Sequence, residues 1–136
     1  MTKPEKIAKI LGETGRFTTI IDLIKLTRRG IHSKGLEKLL KLIELSQDEF
    51  ADAVRISTRT LARRLINPNN LLNADESEKT LRLARIFIEA TETLGSEEKA
   101  KLWIKRKNKS LGSVTPLQLL MARVRENMVV DGIQKG

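Results

Sequence analysis

LSQDEFADAVRISTRTLARRL, residues Leu45 to Leu65, reads as two short helices joined by a tight turn. Ser46 followed three residues later by Glu49 is a capping box, which predicts a helix from Gln47 with Phe50, Ala51 and Val54 on its buried side. Arg55 and Ile56 form the turn. Ser57 is a second N-cap, and the helix after it, Thr58 to about Ile66, directs Leu61 and Leu65 inward and Arg59, Thr60, Arg63 and Arg64 outward. The four arginines, Arg55 included, face no acid within this stretch, whereas Asp48, Glu49 and Asp52 lie on the first helix. That contrast is expected of a helix pair whose second member alone approaches phosphates. The turn of such a pair commonly carries a glycine able to take positive φ. Here the position holds Arg55, so either Arg55 is strained or the turn differs.

Working outward toward the N-terminus, Lys3 to Leu11 predicts a short packing helix that stops at Gly12. A second helix, capped by Thr18 or Thr19, carries Ile20, Ile21, Leu23, Ile24 and Leu26, an apolar face broad enough to suggest burial on two sides, and ends at Arg28, Arg29 and Gly30. His32 falls in the following loop. It is the single histidine of a chain without cysteine, so no ordinary zinc site is expected. A third helix, about Ser33 to Ile43, presents Leu36, Leu39, Leu40 and Ile43 to the core.

Toward the C-terminus, NPNNLLNADES after Ile66 has no helical period and marks a boundary near residues 67 to 74. It divides the chain into 1–68, an N-terminal helical DNA-binding domain, and 69–136, a small C-terminal helical domain. Asp75 is the expected cap of a long helix to about Leu94, with Gly95 as its C′ residue. Its apolar residues wrap more than half the circumference, which suggests the centre of the second domain and a homodimer contact through Leu83, Ile86, Phe87, Ala90 and Leu94. Ser96 caps the next helix, where Trp103 and Leu102 are expected to pack inward together. Thr115 with Pro116 gives an N-cap followed by Pro at N1 and so a firm helix start. The end, ENMVVDGIQKG, mixes apolar and flexible residues, and exposed apolar residues at a terminus usually seek a partner.

The 136 residues carry a net charge of +9, with 40% apolar residues and no cysteine, and the isoelectric point is near 10.1. The chain is therefore expected to fold as one ordinary domain or two small ones. Residues 1–70 hold 14 Lys and Arg against 8 Asp and Glu, and residues 71–136 hold 12 against 9. The cationic excess lies with the helix pair and favours a polyanionic partner. With three Phe, one Trp and no Tyr there is little to stack on unpaired bases, so duplex DNA is favoured over single strands. No long apolar run or secretory signal is present, and a cytoplasmic location without membrane attachment is expected. The absence of Cys and Tyr, a lone His, no glycine-rich phosphate loop and no acids placed together argue against an enzyme and against any cofactor or metal. Asp75 and Glu76 are read as helix-start residues.

Four fragments in order, Ser57 to Arg64 (STRTLARR), Glu76 to Arg85 (ESEKTLRLAR), Ala100 with Trp103, and Leu111 to Leu120 (LGSVTPLQLL), resemble the Xre-type antitoxins of bacterial RES/Xre toxin–antitoxin modules, which include the MbcA-like antitoxins. The likeness runs from about residue 36 to the C-terminus. It implies an all-α protein with an N-terminal helix-turn-helix domain and a small C-terminal toxin-binding domain. It further implies a homodimer that represses its own operon on double-stranded operator DNA and neutralises a RES-domain toxin that degrades NAD. The DNA contacts then fall on Arg55, Ser57, Thr58, Arg59, Thr60, Arg63 and Arg64. The toxin contacts fall on Arg123, Met128, Val129, Ile133, Lys135 and Gly136, where Lys135 stands in place of the family's aromatic residue. The alternative is a stand-alone dimeric helix-turn-helix repressor with no toxin partner.

Overall fold

The computed structural model describes residues 1–121. Over them the chain forms helices α1 (Lys3–Ile10), α2 (Ile20–Arg29), α3 (Ser33–Ile43), α4 (Gln47–Val54), α5 (Thr58–Leu65), α6 (Ala74–Leu94), α7 (Glu97–Lys105) and α8 (Pro116–Met121), with a single 3₁₀ turn at Lys109–Leu111. Only two isolated β-bridges, His32 with Leu71 and Asn108 with Val114, interrupt the helical character of the described residues. The all-α architecture with an N-terminal helix-turn-helix follows the sequence expectation.

The helix starts are set by local chemistry. Ser46 Oγ accepts the Glu49 amide at 3.0 Å while Glu49 Oε1 accepts the Ser46 amide at 3.0 Å, the reciprocal box anticipated for α4. Ser57 Oγ accepts from the Thr60 amide and Ser96 Oγ from the Lys99 amide, as their positions suggested. α6 departs from expectation. Its N-cap is Asn73, whose Oδ1 accepts the Glu76 amide at 2.7 Å while Glu76 Oε1 accepts the Asn73 amide at 2.9 Å, so Asp75 sits inside the first turn. α3 spans Ser33–Ile43 as expected, with His32 as its N-cap residue, and the Ser33 hydroxyl donates to the carbonyls of Arg64 and Asn70.

α6 is the axis of the molecule. It packs along α7 and is met by α1, α2, α3 and α8. This explains its apolar breadth. Of the residues expected at a dimer contact, Leu83, Ile86, Phe87 and Ala90 are buried within the single chain and Leu94 is half-buried. One helix surrounded on several sides needs apolar residues all round.

The segment around residues 67–73 is tied down by backbone bonds. Ser33 donates to Asn70, Lys34 to Pro68 and Leu72 to Ile31 at 2.8–3.1 Å, and Leu72 is buried. The Ile31 amide reaches Ser77 Oγ inside α6 at 2.9 Å. Two glycines make these approaches possible. A Cβ on Gly35 would lie 2.4 Å from the Leu11 carbonyl oxygen, and one on Gly30, where φ is +108°, would lie 2.6 Å from that of Leu72. A continuous apolar core therefore runs from Ile7 in α1 through Leu61 in α5 to Leu117 in α8.

α2 is the second departure. Only Leu23 and Leu26 are buried, while Ile20, Ile21 and Ile24 stay exposed on one face. The broad apolar surface is thus covered on one side, not two.

Candidate nucleic-acid interface

α4 and α5 are joined through Arg55, at φ 57° and ψ 42°, with its amide directed back to the Ala51 and Asp52 carbonyls. The Ile56 amide also returns to the Ala51 carbonyl, at 3.0 Å. This is a helix C-terminus closed by a left-handed residue, usually glycine. Of the two possibilities open in the sequence, the turn keeps its geometry and Arg55 takes the strained conformation. A left-handed non-glycine residue costs about 1–2 kcal/mol, and the anchor is tertiary: Lys79 Nζ, from α6, donates to the Val54 carbonyl at 3.1 Å and binds Asp75 at 2.8 Å. Nothing in the sequence pattern pointed to Lys79.

From this turn α5 projects with Leu61 buried and Leu65 half-buried against the core, and with Thr58, Arg59, Ala62 and Arg63 exposed. Arg59 and Arg63 lie four apart on one face, and the small Ala62 beside them leaves that face low. Among the described residues neither these two arginines nor Arg55 has an acidic partner. The hydroxyls of Ser57 and Thr60 are partly engaged locally, since Ser57 Oγ donates to Thr60 Oγ1 at 2.8 Å and Thr60 is half-buried.

Arg64 faces an acid from outside the α4–α5 stretch: its Nε lies 3.0 Å and 3.2 Å from the two carboxylate oxygens of Glu76, whose side chain is only 7% exposed. This acid is twelve positions away along the chain, so no local pattern disclosed the pair. The C-terminal end of α5 is thereby fastened to the N-terminus of α6, further held where Ser33 Oγ donates to the Arg64 carbonyl at 2.8 Å. The free cations of the interface are thus concentrated at Arg55, Arg59 and Arg63. The exposed acids Asp48, Glu49 and Asp52 stay on α4. The residues proposed for toxin contact, Arg123, Met128, Val129, Ile133, Lys135 and Gly136, lie outside the described residues.

Residues 22–85, which contain the whole α4–α5 unit, match the antitoxin Xre-like helix-turn-helix domain. The chain thus carries an Xre-like antitoxin helix-turn-helix domain over those residues. It is similar, with 27% identity over 109 residues, to a Prs ADP-ribosylating antitoxin of a Sphingobium species, across 74% of this chain and 68% of that one. It is also similar, with 32% identity over 98 residues, to Antitoxin Xre of Pseudomonas putida, across 72% of this chain and 52% of that one. The chain thus spans about half the length of the second relative. No helix among the described residues is long and apolar enough to cross a membrane.

Proposed function

We propose that this protein is an Xre-type antitoxin, a cytoplasmic, non-enzymatic homodimer that represses its own operon by binding duplex DNA through α5. We further propose that it neutralises a RES-type, NAD-degrading toxin through its C-terminal part. The observation that carries the DNA reading is the face of α5: Arg59 and Arg63 are exposed, without acidic partners among the described residues, on the second helix of a pair whose first helix holds the acids. Arg59, Thr60 and Arg63 then read base edges, with Thr58 beside them. Arg55, Ser57 and Arg64 lie nearer to phosphates, Arg64 with its Nε already committed to Glu76. The functional division follows the two parts read from the sequence, DNA binding within 1–68 and toxin binding within 69–136.

Gel-shift titration against the promoter region upstream of the gene tests this. Replacing a base-reading arginine costs about 1–3 kcal/mol and relaxes specificity, while losing a phosphate contact weakens all sequences alike and lowers the salt slope by about one. Unchanged operator affinity in Arg59→Ala/Arg63→Ala would remove α5 as the reader.

The toxin arm is supported by the antitoxin relatives and by the apolar residues Met128, Val129 and Ile133 near the chain's end. A chain truncated after Arg123 is expected to bind operator and fail to rescue cells expressing a cognate RES toxin, with circular dichroism confirming its helices. Full rescue would move the neutralising surface to the helices around Trp103. Homodimerisation falls to a surface other than α6, and the exposed Ile20, Ile21 and Ile24 of α2 are suited to it.

A further inference from the structure

α7 has two unlike faces. On one, Lys101 Nζ pairs with Glu98 at 3.0 Å and Glu44 at 3.4 Å, and Lys105 Nζ donates to the Glu44 carbonyl at 2.8 Å. These two cations clasp α7 to the C-terminus of α3 and are occupied. On the other face Lys99 and Leu102 lie three apart, a spacing that aligns side chains along a helix, and Arg106 follows as the extended residue that ends α7. Neither Lys99 nor Arg106 has an acidic partner among the described residues. Leu102, expected to pack inward beside Trp103, is instead 58% exposed.

Together with Leu94 and Trp103, these residues line a groove of about 190 Å³, with no carboxylate in its walls among the described residues. Trp103 adds an independent sign of a missing contact. It is 7% exposed, and its buried indole N–H has no acceptor among the described residues. Tryptophan N–H groups usually find a partner when buried, because a donor removed from water without an acceptor loses hydrogen-bond energy. Leucines and an indole with two free cations beside them complement an apolar side chain flanked by carboxylates. A peptide also brings backbone carbonyls that could accept from the indole once the groove is filled. A nucleic acid would satisfy the cations but leave Leu102 without an apolar contact.

We propose that the groove formed by Leu94, Leu102 and Trp103 between Lys99 and Arg106 is a docking site for an acidic, apolar peptide segment of a partner protein. The proposal rests on the antitoxin reading for the existence of such a partner, and places a contact on α6 and α7 in addition to the chain's end.

Selection of displayed random peptides on the full-length chain tests it, followed by titration of the recovered peptides against the emission of Trp103, the chain's single tryptophan. Recovered peptides are expected to carry a bulky apolar residue beside Asp or Glu and to shift Trp103 emission saturably. They should lose about tenfold or more in affinity for Leu102→Ser and for Lys99→Glu/Arg106→Glu. The charge-reversed chain should in turn prefer peptides whose acids are exchanged for lysines, a gain that an unfolded variant cannot show. No enrichment, peptides lacking acids, or equal binding to both variants would overturn the proposal. Displacement by duplex DNA, or by a synthetic peptide of residues 124–136, would assign the groove to another occupant and overturn it as well. Operator binding measured on the same proteins separates the two readings: if it persists while the groove fails, only the groove is lost.

Discussion

The pair between Arg64 and Glu76 sets the largest electrostatic expectation in the DNA-binding unit, and a double-mutant cycle measures it. Arg64 Nε touches both carboxylate oxygens at 3.0 Å and 3.2 Å, and the side chains are 32% and 7% exposed. Fully exposed ion pairs couple by about 0.2–1 kcal/mol, whereas hydrogen bonds to charged groups contribute about 1.5–3 kcal/mol. A half-shielded arginine on a buried carboxylate falls between these limits, at about 1–2 kcal/mol. Arg64→Ala leaves the Glu76 charge with the Asn73 cap amide as its remaining close donor. Glu76→Gln keeps an oxygen for that amide and removes the charge. In the double variant no uncompensated charge remains, so its destabilisation should fall short of the sum of the single changes by that coupling. Urea denaturation followed by circular dichroism gives all four stabilities. A coupling under about 0.3 kcal/mol, the scatter expected of independent sites, would refute the reasoning. The same proteins separate the arginines by role. Arg59→Ala and Arg63→Ala should leave stability within about 0.5 kcal/mol, as surface changes do, while lowering operator affinity, and Arg64→Ala should act mainly on stability.

Three further outcomes follow from the packing. Gly35→Ala drives a methyl to 2.4 Å from the Leu11 carbonyl oxygen, so α1 and α3 must separate, and a loss of about 1–3 kcal/mol is expected in a thermal melt. Glu13 is pushed up by burial, but hydrogen bonds from His32 and Arg29 outweigh this and hold its carboxyl below the ordinary glutamate value of 4.5. Its stabilisation is therefore complete above that unfolded value and lost as pH falls through the lower folded one. Glu13→Gln should flatten stability measured from about pH 5 to pH 3. Ile86→Glu buries a charge in the core and should unfold the chain, whereas Ile21→Glu/Ile24→Glu on the exposed face of α2 should leave circular dichroism intact and lower the mass in sedimentation. A folded Ile86→Glu monomer would restore α6 as the dimer face.

What the chain order alone determined is local. Ser46 with Glu49, Ser57, Ser96 and Thr115 before Pro116 place helix starts because a cap is satisfied within three residues, and the alternation of Leu, Ile and Ala with Lys, Arg and Glu sets each helix's inner side. The charge contrast between α4 and α5 is legible for the same reason, since it is written on consecutive turns. Tertiary structure decided everything that depends on what lies across from a side chain. An apolar face looks alike whether the molecule's own helices cover it, as at Leu83, Ile86 and Phe87, or leave it bare, as at Ile20, Ile21 and Ile24. Arg64 reads like Arg59 and Arg63 until Glu76 is folded against it, and Arg55 holds its left-handed turn beside a carbonyl that Lys79 reaches from another helix. Burial and ion pairing are properties of neighbours distant in sequence, so no period along one helix encodes them.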